Sequence, residues 1–194
     1  MELILVRHAE PATTGAGEGG AEDPPLGERG HAQAARVAEW LTRQPIARVV
    51  SSPARRARET AAATAVRLGL EIEIDDRLRD AEQEGTPYVP IEVARADDPE
   101  AYRARVEAYR TSTRLASIAR RVNASLDEWA ARHRGGRIAV FCHGSVINAF
   151  AIRVLGLGNA GFLEAGFASG HRFLVSSSGV RSVQSLNETA YLID

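Results

Sequence analysis

Residues 137–142, RIAVFC, constrain the fold more than any other stretch, because they are apolar at successive positions and so on both faces of a strand. A strand of that kind belongs in the middle of a parallel sheet with helices on either side. Other runs fit around it. ELILV (2–6) and IARVVSS (46–52) are short apolar strands, and LEIEID (70–75) alternates as a strand near a sheet edge does. RFLVSS and VRSVQSL, joined across Ser178-Gly179, read as a β-hairpin.

Helical periods alternate with these strands. Ala34, Val37, Ala38 and Leu41 share one face of a helix from about Gly27 to Arg43, which Pro45 terminates. Pro53 opens a second helix with Ala57, Ala61, Ala65 and Leu68 on one side and Gly69 at its stop. Leu115, Ile118, Val122, Leu126 and Trp129 stripe a long helix expected from Pro99 to His133, and another follows Gly144 and ends near Gly156. Residues 12–25 read as a surface loop, and the acids and prolines of 79–99 break the rhythm. The expected architecture is α/β: a three-layer α/β/α sandwich on a largely parallel sheet. The 194 residues, 44% hydrophobic, suffice for one such domain spanning 1–194.

Bulk properties remove several function classes. A net charge of −1 gives no basic footprint for nucleic acid, and no run is long enough to cross a membrane or to act as a signal peptide. One cysteine, Cys142, cannot form an internal disulfide, which fits a reducing cytoplasm. Lysine is absent altogether, so each basic side chain of the arginine-lysine class is arginine.

Open parallel sheets bind ligands beyond the carboxyl ends of their strands. Arg7-His8 follow the first strand. Ser51-Ser52-Pro53 follow the second, with Arg55, Arg56 and Arg58 on the next helical turns. Asp80, Glu82 and Glu84 follow the third, and His143-Gly144-Ser145 follow the fourth at a helix N-terminus. Two histidines, several arginines and an acid converging on one crevice suit a phosphoryl group. Guanidinium forks match phosphate oxygens, a helix N-terminus favours an anion, histidine is a nucleophile, and an acid protonates a leaving oxygen. Taken singly, His8 is equally a strand-end residue and His143 a helix cap. A metal site built on the pair lacks further ligands at suitable spacing. His31, His133, His171, Trp40 and Trp129 read as packing or surface residues, and Cys142 as a small core hydrophobe.

Five segments in order resemble the histidine phosphatase superfamily, with its phosphoglycerate-mutase-like fold. LVRHAEP resembles the Arg-His signature, and DPPLGERGHAQA (23–34) the Pro-Leu-Thr helix entry, with Gly27 where threonine is usual. VVSSPARRARETA (49–61) resembles the Ser-Ser-Pro segment, RIAVFCHGSVINA (137–149) the second-histidine segment, and LNETAYL (186–192) the closing Leu-Asn motif.

The resemblance implies a metal-independent phosphomonoesterase with no cofactor, acting through a phosphohistidine on His8. Arg7, Arg56, His143 and Gly144 would bind the phosphate. Arg56 is selected by the family's Arg-Ala-x-x-Thr pattern, met by Arg56-Ala57-Arg58-Glu59-Thr60. Asp80 falls at the general-acid position, with Glu82 and Glu84 as neighbours that could serve. The family's Phe-Gly-x-x-Glu-Gly continuation is absent. Ala9, Glu10 and Pro11 stand where many relatives carry phosphate-contacting residues, and Thr13 or Thr14 only partly substitute for them. Residues 79–115, with Tyr88, Tyr102, Tyr109 and the run Arg95, Arg103, Arg105, Arg110 and Arg114, would be a cap that selects the substrate, although most of those side chains also fit a solvated helix face. The implied partner is a phosphorylated small molecule, and the physiological one and the oligomeric state are not encoded. A cofactor-dependent phosphoglycerate mutase and a catalytically impaired phospho-ligand binder are the rival readings.

Overall fold

In the computed structural model, β1 (Glu2–Arg7) and β4 (Arg137–Cys142) lie parallel at the centre of a six-stranded sheet, with Leu3 opposite Ile138, Leu5 opposite Val140 and Arg7 opposite Cys142. The structure describes residues 1–12, 23–80, 89–111, 113–158 and 163–193. β2 (Arg48–Ser51) lies parallel to β4 on its other side, and β3 (Ile72–Ile74) parallel to β2 at the edge. On the far side of β1, β5 (Gly170–Val175) runs antiparallel to β1, and β6 (Arg181–Glu188) runs antiparallel to β5, forming the expected hairpin. The order is β3-β2-β4-β1-β5-β6.

The period of two along each strand divides the core into two layers. Leu3, Leu5, Val50, Ile138 and Val140 point to one side, where α5 (Thr113–Arg132) contributes Ile118, Val122, Leu126 and Trp129, and α6 (Gly144–Leu155) contributes Val146, Ile147 and Phe150. Ile4, Val6, Val49, Ala139 and Phe141 point to the other side. There they meet Ala34, Val37 and Leu41 of α1 (Glu28–Thr42) and Ala61 and Ala65 of α2 (Arg55–Leu68). Both faces of β1 and β4 are therefore apolar for a physical reason. Full burial of each large side chain there contributes about 1.5–3 kcal/mol.

The glycine stops at Gly69 and Gly156 adopt the left-handed conformation (φ 65° and 66°) that ends α2 and α6. α1 begins at Gly27 without a side-chain cap, the direct result of glycine standing where threonine is usual.

The helix expected over 99–133 is described as α4 (Pro99–Thr111) and α5, the stretches before and after residue 112. Of the expected stripe, Ile118, Val122, Leu126 and Trp129 are buried on α5. α4 packs on α3 (Ile91–Asp97), a short helix that the proline-rich stretch did not announce. Between β3 and this segment, Asp75 anchors the chain. Its carboxylate accepts from Ser125 Oγ (2.7 Å), Trp129 Nε1 (3.0 Å) and Arg77 Nε (2.9 Å). Burial opposes its ionisation, but these donors prevail and hold the carboxyl well below the usual aspartate range. The chain thus leaves the sheet edge on a fixed course towards Asp80.

Candidate active site

The carboxyl ends of β1, β2 and β4 deliver Arg7, His8, Ser52 and His143 to one crevice, and the first turn of α2 adds Arg56. Arg7 is 5% exposed, His8 and Arg56 1%, and His143 0%, so these groups are held by protein contacts rather than by bulk water.

His8 has a defined tautomer. Its Nδ1 lies 2.9 Å from the Ala9 carbonyl, which can only accept, so Nδ1 carries the proton and the neutral ring keeps a lone pair on Nε2. Arg56 Nε–H donates to that Nε2 at 3.3 Å. Burial first, then His143 and the cationic Arg7 and Arg56 beside it, push His8 well below the usual histidine pKa. The ring is therefore neutral and nucleophilic near pH 7.

Ala9-Glu10-Pro11 are tied into the frame. Ala9 N donates to Thr60 Oγ1 (3.0 Å), Glu10 N to Gln33 Oε1 (2.9 Å), and Gly27 N to the Glu10 carbonyl (3.1 Å). At Gly30 a β-carbon would stand 2.0 Å from the Glu10 carbonyl oxygen, so α1 approaches this strand exit as only a glycine allows.

His143 meets His8 edge-on, with ring centroids 5.2 Å apart. Ser52 Oγ holds its Nε2 at 2.8 Å, while its Nδ1 faces Arg56 Nη2 (3.4 Å) and Asp80 Oδ2 (3.4 Å). Burial lowers the pKa of His143 and the arginines add to this, with Asp80 opposing them.

Asp80 is fixed from three sides. Ser145 Oγ donates to its Oδ1, Arg56 Nη2 lies 3.5 Å from its Oδ2, and Arg121 Nη2 of α5 donates to its carbonyl at 3.0 Å. Glu82 and Glu84, the other acids considered, lie outside the described residues, as do Thr13, Thr14 and Tyr88. Gly144 opens α6 next to His143, and a β-carbon there would meet nothing within 4 Å.

Arg7 carries contacts that sequence reading missed. Its guanidinium lies over the Phe167 ring, 4.0 Å from the centroid, and Nη1 donates to the Ala165 carbonyl at 2.6 Å. Both terminal nitrogens also pair with the Glu92 carboxylate of α3, Nη2 at 3.1 Å and Nη1 closer still. Nothing in a single sequence links residue 92 to residue 7. Ser52 and Ser145, by contrast, stood beside named strand ends and could have been included.

Arg55 and Arg58 stay outside this cluster. Arg55 pairs with Glu59 (2.7 Å) and is exposed, and so is Arg58. Cys142 is fully buried, and burial raises its thiol pKa far above the usual range. Trp40 stacks on Tyr191 and Trp129 on His133, both as packing. Among the described residues, no three His, Cys, Asp or Glu side chains form a group able to hold a metal ion, and no helix is long and apolar enough to cross a membrane.

Two buried imidazoles, two guanidinium groups and a carboxyl meet around one crevice, a set whose charge and chemistry suit a phosphoryl group. The chain belongs to the histidine phosphatase superfamily (branch 1), whose profile matches residues 3–187. It is 30% identical over 199 residues to phosphoserine phosphatase 1 of Hydrogenobacter thermophilus, covering 99% of this chain and 94% of the relative. It is 35% identical over 159 residues to phosphoglycerate mutase-like protein 4 of Arabidopsis thaliana, covering 75% and 67%. A solved mycobacterial glucosyl-3-phosphoglycerate phosphatase superposes with a TM-score of 0.80 at 25% identity, over 97% of this chain and 99% of that one.

Proposed function

We propose that the chain is a phosphomonoesterase in which His8 is the nucleophile and Asp80 the general acid. The observation that carries this reading is the pairing of a neutral His8, its Nδ1 tied to Ala9, with the Arg56 guanidinium on Nε2. The Nε2 lone pair attacks phosphorus and forms the N–P bond as the ester P–O bond breaks. Asp80 donates its proton to the departing oxygen. Water then attacks the phosphohistidine, the N–P bond breaks, and Asp80 takes up the water's proton as inorganic phosphate leaves. Arg7, Arg56, His143 and the N–H groups at Gly144 counter the charge on the phosphoryl oxygens, where most of the catalysis of such a transfer resides. The roles need no metal, since the side chains supply the cations.

Residues 79–115 serve in this reading as the cap that selects the leaving group. The substrate is a phosphorylated small molecule. Phosphoserine and glucosyl-3-phosphoglycerate, named by two similar phosphatases, are both phosphorylated carboxylic acids, so that class heads the assay panel. A reducing cytoplasm suits a chain whose one thiol is buried in β4.

The test is incubation with a chromogenic phosphomonoester. Free phosphate and an acid-labile, base-stable phosphoenzyme are expected, and both should vanish in His8→Ala. Turnover surviving that substitution would overturn the nucleophile assignment. The mutase-like relative keeps one alternative in the assay: interconversion of 3- and 2-phosphoglycerate stimulated by the bisphosphate, with little hydrolysis, would replace the phosphatase reading with a mutase.

A further inference from the structure

We infer that Glu92 is a built-in stand-in for the substrate's phosphoryl group, so that substrate must displace a carboxylate from Arg7 and thereby unlatch the α3–α4 cap. The inference rests on the reading of Arg7 as a phosphate ligand.

The geometry at Arg7 is that of an occupied anion seat. Glu92 presents both carboxylate oxygens to both terminal nitrogens of the guanidinium, the fork-to-fork arrangement by which arginine also takes phosphate. Arg7 is nearly buried; its Nη1 also donates to the Ala165 carbonyl, and the guanidinium lies over the Phe167 face. A phosphoryl oxygen that is to use the same donors competes directly with Glu92.

The carboxylate does not come from the body of the enzyme. It rides on α3, outside both core layers. A second clasp runs parallel to the first. Arg95 of α3 pairs with Glu164 at 2.7 Å, and Tyr102 of α4 donates its hydroxyl to the same carboxylate. Glu164 directly precedes Ala165, so both clasps close on the loop that frames Arg7. Among the described side chains, the outer clasp that is left on α3 and α4 when the inner one breaks is exposed, and exposed contacts of this kind are individually weak. Binding at Arg7 and release of the cap are then one equilibrium, and the apparent affinity for phosphate is reduced by the fraction of molecules in which Glu92 is seated.

A supporting role for Glu92 predicts the opposite sign. If the carboxylate merely oriented Arg7 for catalysis, removing it would weaken phosphate binding. If it occupies the seat, removing it tightens binding.

The experiment is titration of wild type, Glu92→Gln and Glu164→Gln with inorganic phosphate by calorimetry, with hydrogen exchange of residues 92–104 followed in parallel. Glu92→Gln should bind phosphate about tenfold more tightly, the equivalent of one charge-assisted hydrogen bond no longer opposed. Glu164→Gln, which opens only the outer clasp, should tighten binding by a smaller factor. In wild type, saturating phosphate should speed exchange in 92–104, and in Glu92→Gln exchange should be fast without it. A general charge effect of the substitution would change affinity but leave exchange in α3 unaltered. Unchanged or weaker phosphate binding in Glu92→Gln, or slower exchange in wild type on adding phosphate, overturns the latch while leaving the phosphatase reading intact. A wild type that binds no phosphate and hydrolyses no ester overturns the phosphate site and the latch with it.

Discussion

Arg56 Nε–H reaches His8 Nε2 at 3.3 Å, so the ring nitrogen with the lone pair has a permanent cation beside it. Protonating that nitrogen would set two buried positive groups in contact. The same logic recurs at His171, where Nδ1 accepts from the Asn187 backbone N–H (3.1 Å) and Nε2 pairs with Ser169 Oγ (2.9 Å). A proton on Nδ1 would turn an acceptor towards a donor.

Acid should therefore unfold this protein early. Burial, then the charge of Arg7, lowers His171 from 6.5 to about 4 in the folded state. Between those values the unfolded chain binds more protons, so stability is full above pH 6.5, falls as pH drops, and levels off below about pH 4. His171 alone accounts for about 3 kcal/mol across that window, and His8 acts in the same direction. Urea midpoints measured from pH 7.5 to about 4.5 should decline steeply in wild type and less steeply in His171→Asn. Equal slopes would show that His171 is not held neutral.

Asp80→Asn separates the acid from its neighbours. A carboxyl that protonates the leaving oxygen matters for an alkyl phosphate and hardly at all for a nitrophenyl phosphate. The substitution should lower kcat/KM on the alkyl ester by about 10²–10⁴ and spare kcat/KM on the aryl ester, since kcat/KM reports the phosphorylation step. Glu82→Gln provides the comparison. If the selective loss follows Glu82, or neither variant shows it, the assignment of Asp80 fails.

Gly30→Ala tests how α1 supports the nucleophile. The new methyl would overlap the Glu10 carbonyl, so either α1 or residues 9–10 must move. Moving them shifts the Ala9 carbonyl that fixes the His8 tautomer. A loss of about 2–3 kcal/mol in stability is expected, together with at least a ~10-fold drop in kcat. Normal stability and normal kcat together would mean that the close approach has no consequence.

Most of the framework was legible because burial follows period. β4 shows a central strand in six letters, and the α5 stripe shows its own buried face. Arg7, His8 and His143 stood out as chemistry-bearing residues at strand ends, whereas choosing Arg56 among its neighbouring arginines and Asp80 among the nearby acids took the family resemblance. Where a helix packs is not written in its local period, which says nothing about which turns find a core. α3 was hidden for the same reason. It lies outside the core, its partners are charged groups far away in the chain, and Glu92 looks like any other solvated acid until Arg7 is seen beside it.

β1 ends at Arg7, yet its sheet neighbours begin at Arg137 and Gly170. During synthesis the strand that bears His8 must wait for nearly the whole chain before either of its edges is paired. Its run of apolar residues is a template for wrong partners throughout that interval. Catalytic activity in this fold is accordingly a late event. It reports that the sheet has closed from both sides, and truncation before β5 would be expected to yield aggregation rather than a weaker enzyme.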